Sequence, residues 1–365
     1  MSDMENMTFA IPLEKWYLEN KRDLPWRNTT DPYVIWISEI ILQQTRVVQG
    51  LDYFNRFMSR FPDVATLAEA EEDEVLKYWQ GLGYYSRARN LHAAARQIMT
   101  DFGGRFPENY KDVLSLKGIG EYTAAAICSF AYRQPYAVID GNVYRVLSRL
   151  FDIDVPIDST QGKKIFAELA SGLLDRKHPD IYNQAIMELG ALQCVPRSPR
   201  CDVCPLSDKC LSFVSGRVEK LPVKQGKTVV KPRYFNYLCI SYRGDTWIRQ
   251  RTGKDIWENL YEFILIETDK ECSFEELQRT GEYRRILDGS GKVNITALPL
   301  QKRHVLSHRI IYAYFYSLEI EHVSTGLSEY IRTPYSELER YAVSRLTHIY
   351  LEERQKKDRD YILWK

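Results

Sequence analysis

No stretch of this 365-residue sequence approaches twenty consecutive apolar residues, and its opening MSDMENMTFAIPLEKW has no apolar block of the kind a secretion signal needs. The expectation is a protein without a membrane span or a signal peptide, placed in the cytoplasm of a bacterial cell. Excess charge of one sign is also missing: the net charge is +1, which by itself argues for no partner. Internal repeats and low-complexity segments are absent, so neither a solenoid nor a disordered tract is expected. Cysteine is sparse, at seven, and too thinly spread over a long chain for a secreted disulfide scaffold. Cys128, Cys239 and Cys272 stand apart and read as small buried hydrophobes.

What is present reads as an ordinary globular chain, 44% hydrophobic and 27% charged, long enough for about two domains. Residues 1–213 read mostly as helices stopped by glycines. DPYVIWISEIILQQTRV starts with an N-cap at Asp31 and Pro32 at the first helical position, and Trp36, Ile37, Ile40 and Ile41 form one apolar face. Helical periodicity is lost over 214–232, read as a linker. Beyond it, YFNYLCISYRGDTWIRQR reads as two strands around a turn, HRIIYAYFYSLEI as a long strand, and SFEELQRTGE and YSELERYAVSRLTHIYLEERQ as helices. The expected fold is a mostly α N-terminal region followed by a smaller α+β domain over 233–365.

The remaining four cysteines, Cys194, Cys201, Cys204 and Cys210, crowd into seventeen residues with spacing C-x6-C-x2-C-x5-C. That density points to metal ligation. With no histidine in the window and one C-x2-C pair, zinc and a [4Fe–4S] cluster both stay open, and the all-thiolate set favours the cluster. Around the loop, Gly190 to Phe235 holds nine Lys/Arg against three acids. Such a stripe suits either a phosphate backbone or a solvated linker.

Two carboxylates and a hairpin complete the pattern. LSLKGIGEYTAAAICSF sets Gly118 and Gly120 in a tight turn between helices. It reads either as a plain corner or as a place where backbone N–H groups meet a DNA phosphate. Asp140 follows an apolar run and precedes a new helix, so it is an N-cap that can also serve as a rigid anion at a cleft. Glu39 sits among large apolar residues, with Gln43 and Arg46 expected on its helix face. It is either a surface acid or a desolvated carboxyl suited to general acid work.

Taken together, LPWR (24–27), SEIILQQTRV (38–47), GLGYYSRARNLH (81–92), LKGIG (116–120), VIDGNVYRVLSR (138–149), NQAIMELGALQC (183–194) and the cysteine loop resemble the helix-hairpin-helix DNA glycosylases that carry a [4Fe–4S] loop. Within them the chain resembles the adenine DNA glycosylases of the MutY family. Past the linker, IWENLYEF and LSHR are similar to that family's Nudix-like C-terminal domain. The resemblance implies a helical glycosylase domain over 1–213, with the hairpin at about 108–131 and the cluster loop at 194–210, and a Nudix-like substrate-recognition domain over 233–365. It implies a nucleoid-associated enzyme of base excision repair that flips adenine out of a mispair with 8-oxoguanine or guanine in double-stranded DNA. Glu39 is then the acid and Asp140 the nucleophile or oxocarbenium stabiliser. Tyr122 and Asn142 line the site, and Arg27 and Gln184 contact adenine. Gln44 and Tyr84 fill the gap in the duplex, while Ser307 and His308 help read the opposite base. Gly118, Gly120, Arg197 and Arg200 face the DNA backbone, and the four cysteines hold the cluster.

Tyr122 occupies the position where related endonuclease III-type enzymes carry a Schiff-base lysine, so a monofunctional glycosylase is expected. Lys117 stands where that hairpin usually has proline, and Leu306 where an aromatic often precedes Ser-His. No REx2EE helix appears, so no pyrophosphate hydrolysis is expected. The rival readings are an endonuclease III-type glycosylase/lyase acting on oxidised pyrimidines, and a non-enzymatic iron–sulfur DNA-binding sensor. Nothing in the sequence demands more than a monomer.

Overall fold

The computed structural model describes residues 3–226 and 230–363. Lys227, a member of the basic stripe, lies outside them with its two neighbours in the expected linker. Packing divides the chain into two compact units, one of residues 3–69 and 90–226, the other of residues 70–89 and 230–363. Residues 70–89 therefore group with the later unit, although they precede the hairpin in sequence.

The first unit is helical. Asp31 caps the Pro32–Leu42 helix by accepting from the Tyr33 amide at 2.8 Å. Tyr33, Ile35, Trp36, Ile37, Ile40 and Ile41 are all buried. With apolar residues on nearly every side, the helix draws Ser38 and Glu39 into the interior as well. The expectation that Gln43 and Arg46 share the face of Glu39 is wrong. The helix ends at Leu42, Gln43 leaves it at ψ 118°, Gln44 is left-handed at φ 58°, and Arg46 already caps the Val47–Arg60 helix.

The hairpin joins helix Tyr110–Ser115 to helix Glu121–Tyr132. Gly118 turns the chain at φ 78°, and a Cβ there would fall 2.5 Å from Asn90 Cβ, so glycine is required on both counts. Asp140 caps helix Gly141–Leu150, whose Val143, Val146, Leu147 and Leu150 enter a core with Phe9, Leu13, Phe166 and Leu189. Helix Pro179–Leu192 packs on the head of that helix through Gly190, where an added Cβ would lie 2.6 Å from Asn142 Cβ. The last residues of this unit are tied down: Val223 O accepts from Ile157 N, and Asp158 accepts from the amides of Gln225 and Gly226.

The second unit is built on one mixed sheet: β1 (Lys231–Tyr242), β2 (Asp245–Gln250), β3 (Tyr261–Thr268), β4 (Val293–Ile295), β5 (Leu300–Val305), β6 (Arg309–Ile320) and β7 (Ile331–Pro334). The order is β4-β6-β1-β3-β2-β7, with β5 also paired to β6. The central pair β1–β6 is parallel, from Lys231 opposite Arg309 to Ser241 opposite Glu319, and the other pairs are antiparallel. Being covered on both faces, β1 reads as a continuous apolar run whose alternate residues part company. Phe235, Tyr237 and Cys239 face the side of Leu346 and Tyr350, on helix Arg345–Leu363. Leu238 and Ile240 face Leu277, Ile286 and Leu287, on helices Phe274–Gln278 and Gly281–Leu287. The observed class, a helical region followed by an α+β unit, is the one expected.

Candidate active site

A cleft of about 920 Å³ opens in the first unit, lined by Glu39, Tyr122, Asp140, Asn142, Arg27, Gln184, Gln44 and Gly120. Seven of the residues singled out as catalytic or substrate-binding, or as the second hairpin glycine, are thus joined by Glu39 in one cavity. They come from several separate helices and helix heads, and the two carboxylates open onto shared space.

Glu39 is 7% exposed and its Oε2 accepts from the Tyr122 hydroxyl at 2.7 Å. Burial pushes its carboxyl up to about 7; the Tyr122 bond pulls back and the charge of Asp140 pushes further. Tyr122, half-buried beside both acids, is held well above the usual phenol range by desolvation and by their charges, and stays a donor.

Asp140 is fixed by three donors. The amides of Asn142 (2.9 Å) and Val143 (2.8 Å) reach Oδ1, and Asn142 Nδ2 reaches Oδ2 at 2.7 Å. Asn142 Oδ1 in turn accepts from Arg145 at 2.8 Å. Capping alone predicts a depressed acid, yet burial outweighs the hydrogen bonds and its carboxyl moves up. Three donors favour the ionised form of Asp140, against one for Glu39. The pair can therefore hold one proton and one negative charge near neutrality.

Arg22 and Glu188, which the sequence reading passed over, also line the cleft. Arg27 donates to both oxygens of Glu188, at 2.8 and 2.7 Å, and Arg22 donates to the same carboxylate. Burial alone pushes Glu188 up, but the hydrogen bonds from Arg27 and Arg22 carry it down to about 2. Gln184 accepts from the Tyr17 hydroxyl at 2.9 Å. Glu188 stands four residues after Gln184, one helical turn along, and that spacing could have flagged it. Tyr17 and Arg22 lie more than 160 positions away and carry no such signal.

The other expected residues lie elsewhere. Arg197 and Arg200 are exposed on the cysteine loop. In the second unit, Tyr84 is left-handed at φ 47° and half exposed, and its hydroxyl is hydrogen-bonded to Ser307. Ser307 and His308 are exposed in the turn between β5 and β6.

Cys194, Cys201, Cys204 and Cys210 line one small pocket, and none is in a disulfide. Burial and the neighbouring thiols push Cys204 up to about 11, so four thiolates cannot coexist there without positive charge between them. Buried Arg149 donates to Val195 O (2.8 Å), Pro196 O (3.0 Å) and Cys194 Sγ (3.4 Å), holding the loop around that space. Four sulfurs converging without histidine fit an iron–sulfur cluster.

Residues 37–171 match the HhH-GPD superfamily of base excision DNA repair proteins, residues 194–210 the iron–sulfur binding domain of endonuclease III, and residues 236–353 the NUDIX domain. The chain is 35% identical to the adenine DNA glycosylase of Buchnera aphidicola subsp. Schizaphis graminum, over 71% of this chain and 75% of that one. It is 31% identical to the adenine DNA glycosylase of Buchnera aphidicola subsp. Baizongia pistaciae, over 85% of each. Among solved structures, a thermostable thymine-DNA glycosylase matches with TM-score 0.54 and 30% identity, covering 58% of this chain and 98% of that one. The cofactor of the cysteine loop is a [4Fe–4S] cluster. Among the described residues, no helix is long and apolar enough to cross a membrane. The resemblance seen in the sequence holds: the chain belongs to the adenine DNA glycosylase family, in the HhH-GPD superfamily of base excision DNA repair proteins.

Proposed function

We propose that the protein binds duplex DNA as a monomer and releases adenine that stands opposite 8-oxoguanine or guanine, without cutting the strand. The observation that supports this most is the shared cleft, in which one donor holds the carboxyl of Glu39 and three hold that of Asp140. Adenine inside a stacked duplex is out of reach of either group, so the nucleotide is flipped into the cleft. Glu39, neutral for much of the time near pH 7, protonates N7 and turns the base into a better leaving group. Asp140, held by its three donors, stabilises or captures the oxocarbenium-like sugar, after which water completes hydrolysis. Tyr122 orients Glu39, and Asn142 orients Asp140. A phenol cannot form an imine, so strand cleavage by a Schiff base has no nucleophile at position 122.

The remaining roles follow the same reading. Arg27 and Gln184 contact the adenine, braced by Glu188 and Tyr17. Gln44 and Tyr84 enter the space the flipped nucleotide leaves. Both already occupy left-handed backbone, strain of about 1–3 kcal/mol that a working position justifies. Ser307 and His308 read the opposite base. Gly118 and Gly120 offer backbone N–H groups to a phosphate, and Arg197 and Arg200 meet its neighbours. Cys194, Cys201, Cys204 and Cys210 ligate the cluster, which organises this loop; base removal moves no electrons. Residues 1–213 form the glycosylase domain, 214–232 a linker and 233–365 the domain that recognises the lesion. The enzyme works in a bacterial cytoplasm, on the nucleoid.

The test is single-turnover incubation with duplex DNA carrying adenine opposite 8-oxoguanine, followed by alkali. Alkali-dependent breaks at the adenine are expected. Asp140→Asn should lose at least about a thousandfold in rate while still binding the duplex. Binding without base release by the wild type sinks the proposal, as does full activity in Asp140→Asn.

A further inference from the structure

Helix Asp3–Asn20 and the turn ahead of helix Pro179–Leu192 meet at a second group of titratable side chains, none of which lines the cleft. One ligand atom each from Glu14, Asp175 and His178 lies within 4.8 Å of the other two. Asp175 Oδ2 is 3.0 Å from His178 Nδ1, while Asp175 Oδ1 accepts from the Lys177 amide at 2.8 Å. The turn is thereby pinned and its two donors are aimed the same way. Glu14 Oε1 is enclosed and has no hydrogen-bond partner among the described residues.

An independent observation comes from Tyr182. Its side chain is buried, at 2% exposure, yet its hydroxyl has no partner among the described residues, and the charges bearing on it are those of Glu14 and Asp175. A buried hydroxyl left open beside two carboxylates costs free energy unless something sits among them. Two carboxylates and an imidazole thus crowd around one point, where a cation would offset the like charges of Glu14 and Asp175. Asp180, which also bears on Glu14, is paired with Arg133 at 3.5 Å. His178, more than half exposed, stands at the mouth and gives an entry route.

We propose that Glu14, Asp175 and His178 bind a divalent transition cation, with zinc the best fit. One imidazole nitrogen and two carboxylate oxygens suit a borderline cation, whereas magnesium and calcium favour all-oxygen sets. Three protein ligands leave a fourth position for water, next to the Tyr182 hydroxyl, which gains a partner. Ligands about 2.0–2.1 Å from a tetrahedral zinc stand about 3.4 Å apart, so side-chain adjustments alone close the site. Such an ion ties the N-terminal helix to the turn that starts the helix of Gln184. One turn beyond Glu14, Tyr17 and Gln184 join the same two elements. The site stands whether or not the reading of the cleft is right.

The experiment uses full-length protein with its iron–sulfur cluster intact, freed of loose metal and dialysed against Zn²⁺, with zinc and iron counted per chain. One zinc per chain with iron unchanged is expected, together with a higher Tm. His178→Ala and Glu14→Gln should each weaken zinc binding by at least about tenfold and abolish the Tm rise. Co²⁺ in place of zinc should give ligand-field absorption without a thiolate charge-transfer band. The proposal is overturned by the absence of a saturable zinc, by equal binding in His178→Ala, or by a thiolate band, which would place the ion in the cysteine loop. An exposed histidine is replaced without threat to folding, so the His178→Ala arm stays decisive even where Glu14→Gln misfolds.

Discussion

The Tyr122 hydroxyl donates to Glu39 Oε2 at 2.7 Å, in a part of the cleft wall where the acid is 7% exposed. This bond opposes the burial that raises the Glu39 carboxyl to about 7. Removing it in Tyr122→Phe should raise that carboxyl further. If Glu39 acts as the acid, base release in the wild type falls as pH rises through about 7, and in Tyr122→Phe the fall moves to higher pH. A single-turnover pH profile reads this directly; a limb that stays put would mean Glu39 is not the group titrating.

The same acid sets a pH-dependent stability. Its folded value, about 7, lies above the usual 4.5, so the stabilisation it gives is complete below 4.5 and is lost as pH climbs through about 7. The gap corresponds to about 3 kcal/mol. Glu39→Gln removes this dependence along with the activity. Its Tm should therefore gain on the wild type between pH 5 and pH 8, the window in which Glu39 ionises. Parallel Tm curves for the two proteins would show that Glu39 is not desolvated.

Much of this arrangement was legible in the sequence, and what was not has a physical reason. Asp31-Pro32 marked the start of the Glu39 helix by capping chemistry, and the apolar residues around Glu39 allowed either a surface or a desolvated acid, of which the structure shows the second. Its end was misread because Gln43-Gln44 carries neither glycine nor proline; the chain leaves the helix there with Gln44 in left-handed backbone. Asp140 as an N-cap was readable, but the direction of its titration was not. Local hydrogen bonds can be read from spacing, whereas the opposing burial comes from distant elements. For the same reason Arg22 and Tyr17, packed on the helix of Gln184 from the far end of the chain, stayed invisible. The grouping of residues 70–89 with the later unit is likewise tertiary.

Glu188 is 1% exposed and is shared by two arginines, so Glu188→Gln leaves Arg27, at 11% side-chain exposure, with half its partner. Breaking such a pair costs about 3–5 kcal/mol. Its folded value, about 2, lies below 4.5, so its contribution is present above 4.5 and fades as pH falls toward 2. Urea unfolding of the two proteins should therefore differ by about 3 kcal/mol at pH 7 and by about 1.4 kcal/mol at pH 3. An equal difference at both values would assign the loss to packing.

Gly190 faces Asn142 so closely that an alanine Cβ would lie 2.6 Å from Asn142 Cβ and 3.0 Å from its carbonyl oxygen. The backbone there cannot retreat without disturbing the residue that donates twice to Asp140. Gly190→Ala should cost about 1–3 kcal/mol as overpacking. It should also slow base release more than it weakens DNA binding. A variant as stable and as fast as the wild type would show that the Asp140 anchorage tolerates displacement.

The cysteine loop bears the last prediction. Arg197 and Arg200 are exposed on it, and each phosphate neutralised in duplex DNA contributes about −0.9 to the slope of log K against log salt. Replacing both by alanine should reduce that slope in magnitude by about 2 while leaving iron content and the preference for the mispair unchanged, because phosphate contacts carry no base information. Cys201→Ser should instead lower folding and affinity together, since the loop that presents the arginines is organised around the sulfurs and Arg149. A folded, iron-free Cys201→Ser protein that keeps its full salt slope would separate the loop's shape from the cluster, and the arginines would then owe their placement to Arg149 alone.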